Sequence, residues 1–209
     1  MDPRILSGLL LIVGPIVTIT FSFLIFPEDP SNINSTLKEL SINPALIGTA
    51  AIMSSFGFIL SVCGFYIIKD KMRGGLGGNY ANISMLFLII SIPAKLVELG
   101  LISVAADTSA ISFNTADKTA EILWIASQGV GTISTIIFSI GIFIFGIGIL
   151  FQKNYTFIIP FLLITTGISG VLVPATIGYD SSNMLIIYIL YSITAIITGI
   201  FTIFNSKYQ

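Results

Sequence analysis

The sequence predicts an all-α membrane helix bundle with six transmembrane helices and both termini in the cytoplasm. Three observations predict it. Charged residues make up 9% of the 209 residues, where a soluble domain carries roughly 25%. Mean hydropathy is +1.01. The apolar residues fall into six runs, each long enough for the ~20 residues that cross a hydrocarbon core. There are too few polar side chains to cover a soluble surface. Disorder, a soluble enzyme fold and a nucleic-acid-binding domain are excluded on the same ground. No period-two alternation points to a transmembrane barrel.

The spans are predicted at about 5–26, 45–68, 80–106, 122–151, 155–177 and 184–204. The first begins directly after Met1-Asp-Pro-Arg4 and is too long for a signal-peptide core, so it reads as an uncleaved anchor. Its outer loop contains Thr36-Leu-Lys-Glu39, which fits a capping box for a short surface helix with Leu37, Leu40 and Ile42 on one apolar side. Asn34-Ser-Thr36 in that loop is a glycosylation sequon. The second span holds Cys63, the lone cysteine, which reads as a small buried hydrophobe. Arg73-Gly-Gly-Leu-Gly-Gly-Asn79 reads as a flexible connector, without the Gly-Lys-Ser/Thr ending of a phosphate loop. In the fourth span Trp124 reads as an interface anchor. Glu121 and Gln128 read as lining an outer vestibule at most.

Loop charge sets the orientation. Arg4, Lys69, Lys71, Arg73, Lys153 and Lys207 fall on one side, against Lys38 and Lys118 on the other. Six bases against two put the first side in the cytoplasm. An even number of spans puts both termini there. The connections are short, so residues 1–209 form a single transmembrane domain, multi-pass in the cell membrane.

The chemistry is narrowed by what is missing. The chain has no His, which removes the usual zinc sites, His-ligated haem and Ser-His or Cys-His nucleophiles. One cysteine makes no internal disulfide. No catalytic residues, metal site or cofactor are expected.

The third span carries Ser91-Ile-Pro-Ala-Lys95-Leu-Val-Glu98. Counted from Asp107, both ions lie deep, where a charge left in lipid costs at least ~2.5–3.5 kcal/mol. Three-residue spacing puts them on one helix face, with Ser84 and Ser91 in line. Pro93 removes a backbone donor and frees the carbonyl of Ile89. Ser139 of the fourth span comes near that depth. Tyr188, Tyr191, Ser192, Ala195, Thr198, Gly199 and Thr202 form one face of the sixth. That face is expected to look into the bundle, and Ile186, Ile193, Ile197 and Ile200, off it, toward lipid. Lys95, Glu98, Ser91, Ser139, Tyr191 and Ser192 are therefore the candidate binding residues. The bland alternative is a self-neutralising pair that fixes helix register, with hydroxyls that serve packing.

The opening Arg4-Ile-Leu-Ser-Gly8-Leu-Leu, the segment Ser35-Thr-Leu-Lys-Glu-Leu-Ser-Ile-Asn-Pro44 and the span-closing Lys69 resemble the small six-helix integral-membrane families of unknown function found in prokaryotes. The resemblance implies the fold and a membrane location, and no activity. Two functional expectations stand. One is a non-enzymatic membrane-embedded binding, assembly or accessory protein. The other is a small-solute or ion transporter or channel using Lys95 and Glu98. Expected partners are the lipid bilayer and other membrane proteins or further copies of the chain, with no nucleic acid. A lipid-acting enzyme is the least supported class.

Overall fold

The computed structural model describes residues 2–72, 74–111, 118–153 and 155–204. Arg73 and Lys207, used above for orientation, lie outside the described residues. Among the described residues there are seven helices and no strand: α1 (Pro3–Ile25), α2 (Ile33–Ile42), α3 (Pro44–Lys71), α4 (Gly75–Ile111), α5 (Thr119–Gln152), α6 (Ile158–Thr176) and α7 (Asn183–Phe204). All but α2 are long and apolar enough to cross a membrane.

Local chemistry sets the helix starts. Asp2 caps α1 by accepting the Arg4 N–H at 2.9 Å, with Pro3 in the first turn. Asn43 caps α3 through the Leu46 N–H at 3.2 Å, with Pro44 following. Hydrogen bonds from Arg4 hold the Asp2 carboxyl below the usual carboxylate range, and Lys71 adds a smaller share. The start of α1 therefore lies beside the end of α3.

The short surface helix exists, but its cap differs from the expected box. Asn32 accepts the Ser35 N–H at 3.3 Å, so α2 starts earlier. Thr36, fully buried, instead donates to the Asp29 carbonyl at 3.0 Å, and Glu39 accepts the Glu28 N–H at 3.1 Å. These bonds fasten segment 26–32 to α2. Leu40 is buried and Leu37 partly so, whereas Ile42 is 79% exposed.

The six long helices form a ring. Each packs on the next in the order α1, α3, α4, α5, α6, α7, and α7 returns to α1. Short connections make neighbours antiparallel. Lipid offers no hydrophobic force between helices, so close backbone approach has to hold them. Glycine pairs supply it at three crossings. A Cβ on Gly14 would lie 2.7 Å from the Gly57 carbonyl oxygen of α3, and one on Gly57 would lie 2.6 Å from that of Gly14. Gly8 and Gly199 oppose each other at 2.7 Å between α1 and α7, and Gly77 and Gly148 do so between α4 and α5. Gly75–Asn79 is thus helical, and Gly77 within it is packing surface rather than part of a loose connector.

Two apolar layers fill the ends of the ring. One joins Leu11, Phe65, Ile68, Met72, Phe145 and Ile149, each 0–1% exposed. The Phe65 and Phe145 rings meet edge to face at 5.2 Å. The other lies under α2 and includes Ile25, Leu40, Ile47, Leu99, Ile102 and Trp124. Trp124 is 3% exposed. It is a core residue and not an interface anchor, because α2 covers it. Cys63 is exposed on the outside of the ring, against the expectation of burial.

Candidate functional site

Lys95 and Glu98 sit just past the middle of α4, a helix of 37 residues, ~55 Å long. Both are buried, at 7% and 4% exposure. Lys95 Nζ donates to Glu98 Oε1 at 2.8 Å and Oε2 at 2.9 Å. Its remaining proton reaches the Tyr188 hydroxyl of α7 at 3.3 Å. The ammonium also lies 5.0 Å from the Tyr188 ring centre, in cation–π range.

Tyr179 completes the cluster from the segment between α6 and α7. Gly178, at φ +98, makes the left-handed turn that directs it inward. The Tyr179 hydroxyl donates to Glu98 Oε1 at 2.8 Å and is hydrogen-bonded to the Tyr188 hydroxyl. Burial, and then the Glu98 carboxylate, hold the Tyr179 phenol well above its ordinary pKa, so it stays a donor. Glu98 accepts only, which fixes the order of donation. Lys95 donates to Tyr188, Tyr188 to Tyr179, and Tyr179 to Glu98. The four groups close a neutral cycle in which a proton can pass from ammonium to carboxylate through two phenols. Gly131 of α5 makes room for it: a Cβ there would lie 2.4 Å from the Tyr179 ring and 2.8 Å from the Glu98 carboxyl carbon.

Two cavities meet at this cluster. The central cavity has an empty volume of about 770 Å³, part of it open to the surroundings. All six long helices line it. Pro15, Thr18 and Ser22 come from α1, Phe58, Ser61 and Phe65 from α3, and Lys95 from α4. Thr135, Phe138 and Ile142 come from α5, Leu163 and Thr166 from α6, and Tyr191, Ser192 and Ala195 from α7. The second cavity, about 450 Å³, lies toward α2. Pro27 and Pro30 roof it, and Trp124, Gln128, Tyr179 and Glu98 wall it. Ser22, Lys95 and Tyr188 line both.

The remaining sequence candidates divide. Tyr191 and Ser192 line the central cavity. Ser192 donates to the Tyr188 carbonyl at 2.9 Å. Ser139 is buried behind Tyr191, bonded to its hydroxyl and to the Thr135 carbonyl, and does not face the space. Ser91 stands apart from the cluster. Its hydroxyl donates to the Leu88 carbonyl at 2.7 Å, and its own carbonyl accepts from Ser134 at 3.3 Å. Ser84 donates across to the Gly141 carbonyl at 2.7 Å. Those two serines seam α4 to α5. On α7, Ser192, Ala195, Thr198, Gly199 and Thr202 are buried and Ile186, Ile193 and Ile200 exposed, as expected. Ile197 instead packs partly buried against the core.

Sequence reasoning missed Tyr179, did not assign Tyr188 to the pair, and missed the α1 wall. A signal for the wall was present: Pro15, Thr18, Ile19 and Ser22 follow the spacing of one helix face. Among the described residues no group of three or more His, Cys, Asp or Glu is placed to hold a metal ion. No family model, curated protein or solved structure matches the chain.

Proposed function

We propose that the protein is a multi-pass membrane protein of the cell membrane that binds a small solute in the central cavity and passes it across the Lys95 cluster. One observation carries the reading: Ser22, Lys95 and Tyr188 line both the central cavity and the second cavity toward α2. A pair that only fixed helix register would need no space beside it. The cluster is also neutral and internally bonded, so it puts no unpaired charge beside the cavity. With the base-rich end cytoplasmic, the α2 side faces outward. Segment 26–32 and α2 then close the outer mouth, and the Phe65–Phe145 layer closes the inner one. A central space bounded at both ends in this way suits a carrier better than an open pore.

An accessory role in which the cavity is incidental is the competing reading. Osmotic swelling of proteoliposomes separates the two. Vesicles are placed in iso-osmotic glycerol, butane-1,4-diol, urea, potassium chloride or potassium acetate. Wild type should speed entry of at least one solute. Ala195→Phe, which fills the cavity, should abolish that gain. Equal rates for wild type, Ala195→Phe and empty vesicles with every solute would refute transport.

A further inference from the structure

The chemistry of the cavity wall selects among solutes. Most of its hydroxyl groups have already given their single proton to the protein. Thr18 donates to the Gly14 carbonyl at 3.0 Å, Ser61 to Gly57 at 3.0 Å, and Ser192 to Tyr188 at 2.9 Å. Ser134 donates to the Ser91 carbonyl at 3.3 Å. Each hydroxyl has one proton and two lone pairs. With the proton spent, what these groups offer a ligand is lone pairs. The wall is thus rich in acceptors and poor in donors. Between the hydroxyls lie Phe58, Phe65, Phe138, Ile142 and Leu163, which want an apolar body.

Formal charge is disfavoured in both signs. Lys95 is the one charged group among the described residues lining the cavity, and Glu98 faces the other side. A cation entering would find no carboxylate of its own, because Glu98 is already paired with Lys95 and does not line this cavity. An anion would find the three ammonium protons already directed at Glu98 and Tyr188, and the lone pairs of the wall facing it.

We infer that the central cavity takes an uncharged amphiphile, with an apolar body and a hydroxyl or similar hydrogen-bond donor at its polar end. The inference rests on the reading of the cavity as a solute site and adds the ligand class. The donor end sits among Thr18, Ser61 and Ser192, and the body lies against the phenylalanines.

Photolabelling tests it. The protein in phosphatidylcholine nanodiscs is exposed to four probes of equal chain length, each with a mid-chain diazirine. They end in alcohol, methyl ether, carboxylate or trimethylammonium. Labelled residues are located by peptide mass spectrometry, with and without excess decan-1-ol. The alcohol should label Phe58, Phe138 and Leu163 at least about fivefold more than the ether does, the ratio of one net hydrogen bond. Excess decan-1-ol should suppress that labelling. Ser61→Ala and Thr18→Val should each lower it several-fold, and Ala195→Leu should remove it while labelling of exposed Ile52 and Leu86 persists. Equal labelling by alcohol and ether, or stronger labelling by the carboxylate or the ammonium, would overturn the ligand class and leave the cavity a site. Failure of every probe to label the cavity above the ring's outer surface would overturn the site itself.

Discussion

The central cavity is bounded toward its two ends by different physics. Toward the start of α1 the closure is apolar: Leu11, Phe65, Met72, Phe145 and Ile149 interdigitate at 0–1% exposure. Toward α2 it is polar: Lys95, Glu98, Tyr179 and Tyr188 exchange hydrogen bonds in a closed cycle. An apolar layer is stabilised contact by contact and loses about the same for each group removed. A buried ionic cycle has to be intact or absent, since a lone charge left behind is worse than no charge. The apolar layer therefore suits a closure that yields contact by contact. The cycle suits a barrier that opens as one unit.

Several substitutions sharpen that contrast or break it. The largest effect belongs to the ion pair. Lys95→Met or Glu98→Gln alone should destabilise by roughly 3–5 kcal/mol, by leaving a buried charge unpaired. The double variant should be milder than either, measured by denaturant unfolding in detergent micelles. Next comes the aromatic layer, where the sign reverses. Phe65→Ala and Phe145→Ala should each cost about 3 kcal/mol, and the pair together should cost more than either alone. A double Lys95/Glu98 variant less stable than both singles would erase the distinction between the two closures.

A smaller effect is expected at Gly131→Ala, about 1–3 kcal/mol of overpacking. The added methyl would push Tyr179 off Glu98, since it would lie 2.4 Å from the phenol ring. The intrinsic fluorescence of Trp124, which walls the same cavity, should change with it. The smallest contrast lies on α7. Gly199→Ala meets the Gly8 carbonyl at 2.7 Å and should destabilise, whereas Ile200→Leu on the exposed face should stay within about 0.5 kcal/mol.

Most of the helix placement was legible in the residues, because six apolar runs and their caps are local features. Three of the errors share one cause, which is contact with distant chain. Trp124 looked like an interface anchor because its partners on α2 are some 85 residues away in sequence. Gly75–Asn79 looked loose because the surface it packs on, around Gly148, lies on α5. The Thr36–Glu39 box was drawn to other partners by segment 26–32.

The candidate site was half legible. Lys95 and Glu98 declare themselves by charge in an apolar helix, and their pairing follows from spacing. Tyr179 does not, because it sits beyond the end of α6 and turns inward only at Gly178. Nor could spacing tell that Ser91 and Ser139 would spend their hydroxyls on backbone carbonyls rather than face the cavity.

The central claim is that the Lys95–Tyr188 cluster separates two spaces, and thiol accessibility tests it most directly. Cys63 is exposed and is first replaced by Ser. Single cysteines are then introduced by Gln128→Cys in the α2-side cavity or Thr166→Cys in the central one. An impermeant cationic thiosulfonate is added on the α2 side of sealed vesicles. Gln128→Cys should react readily and Thr166→Cys at least ~10-fold more slowly, a barrier of about 1.4 kcal/mol or more. Tyr188→Ala should remove that protection. Equal reaction at the two positions with Tyr188 in place would contradict the account.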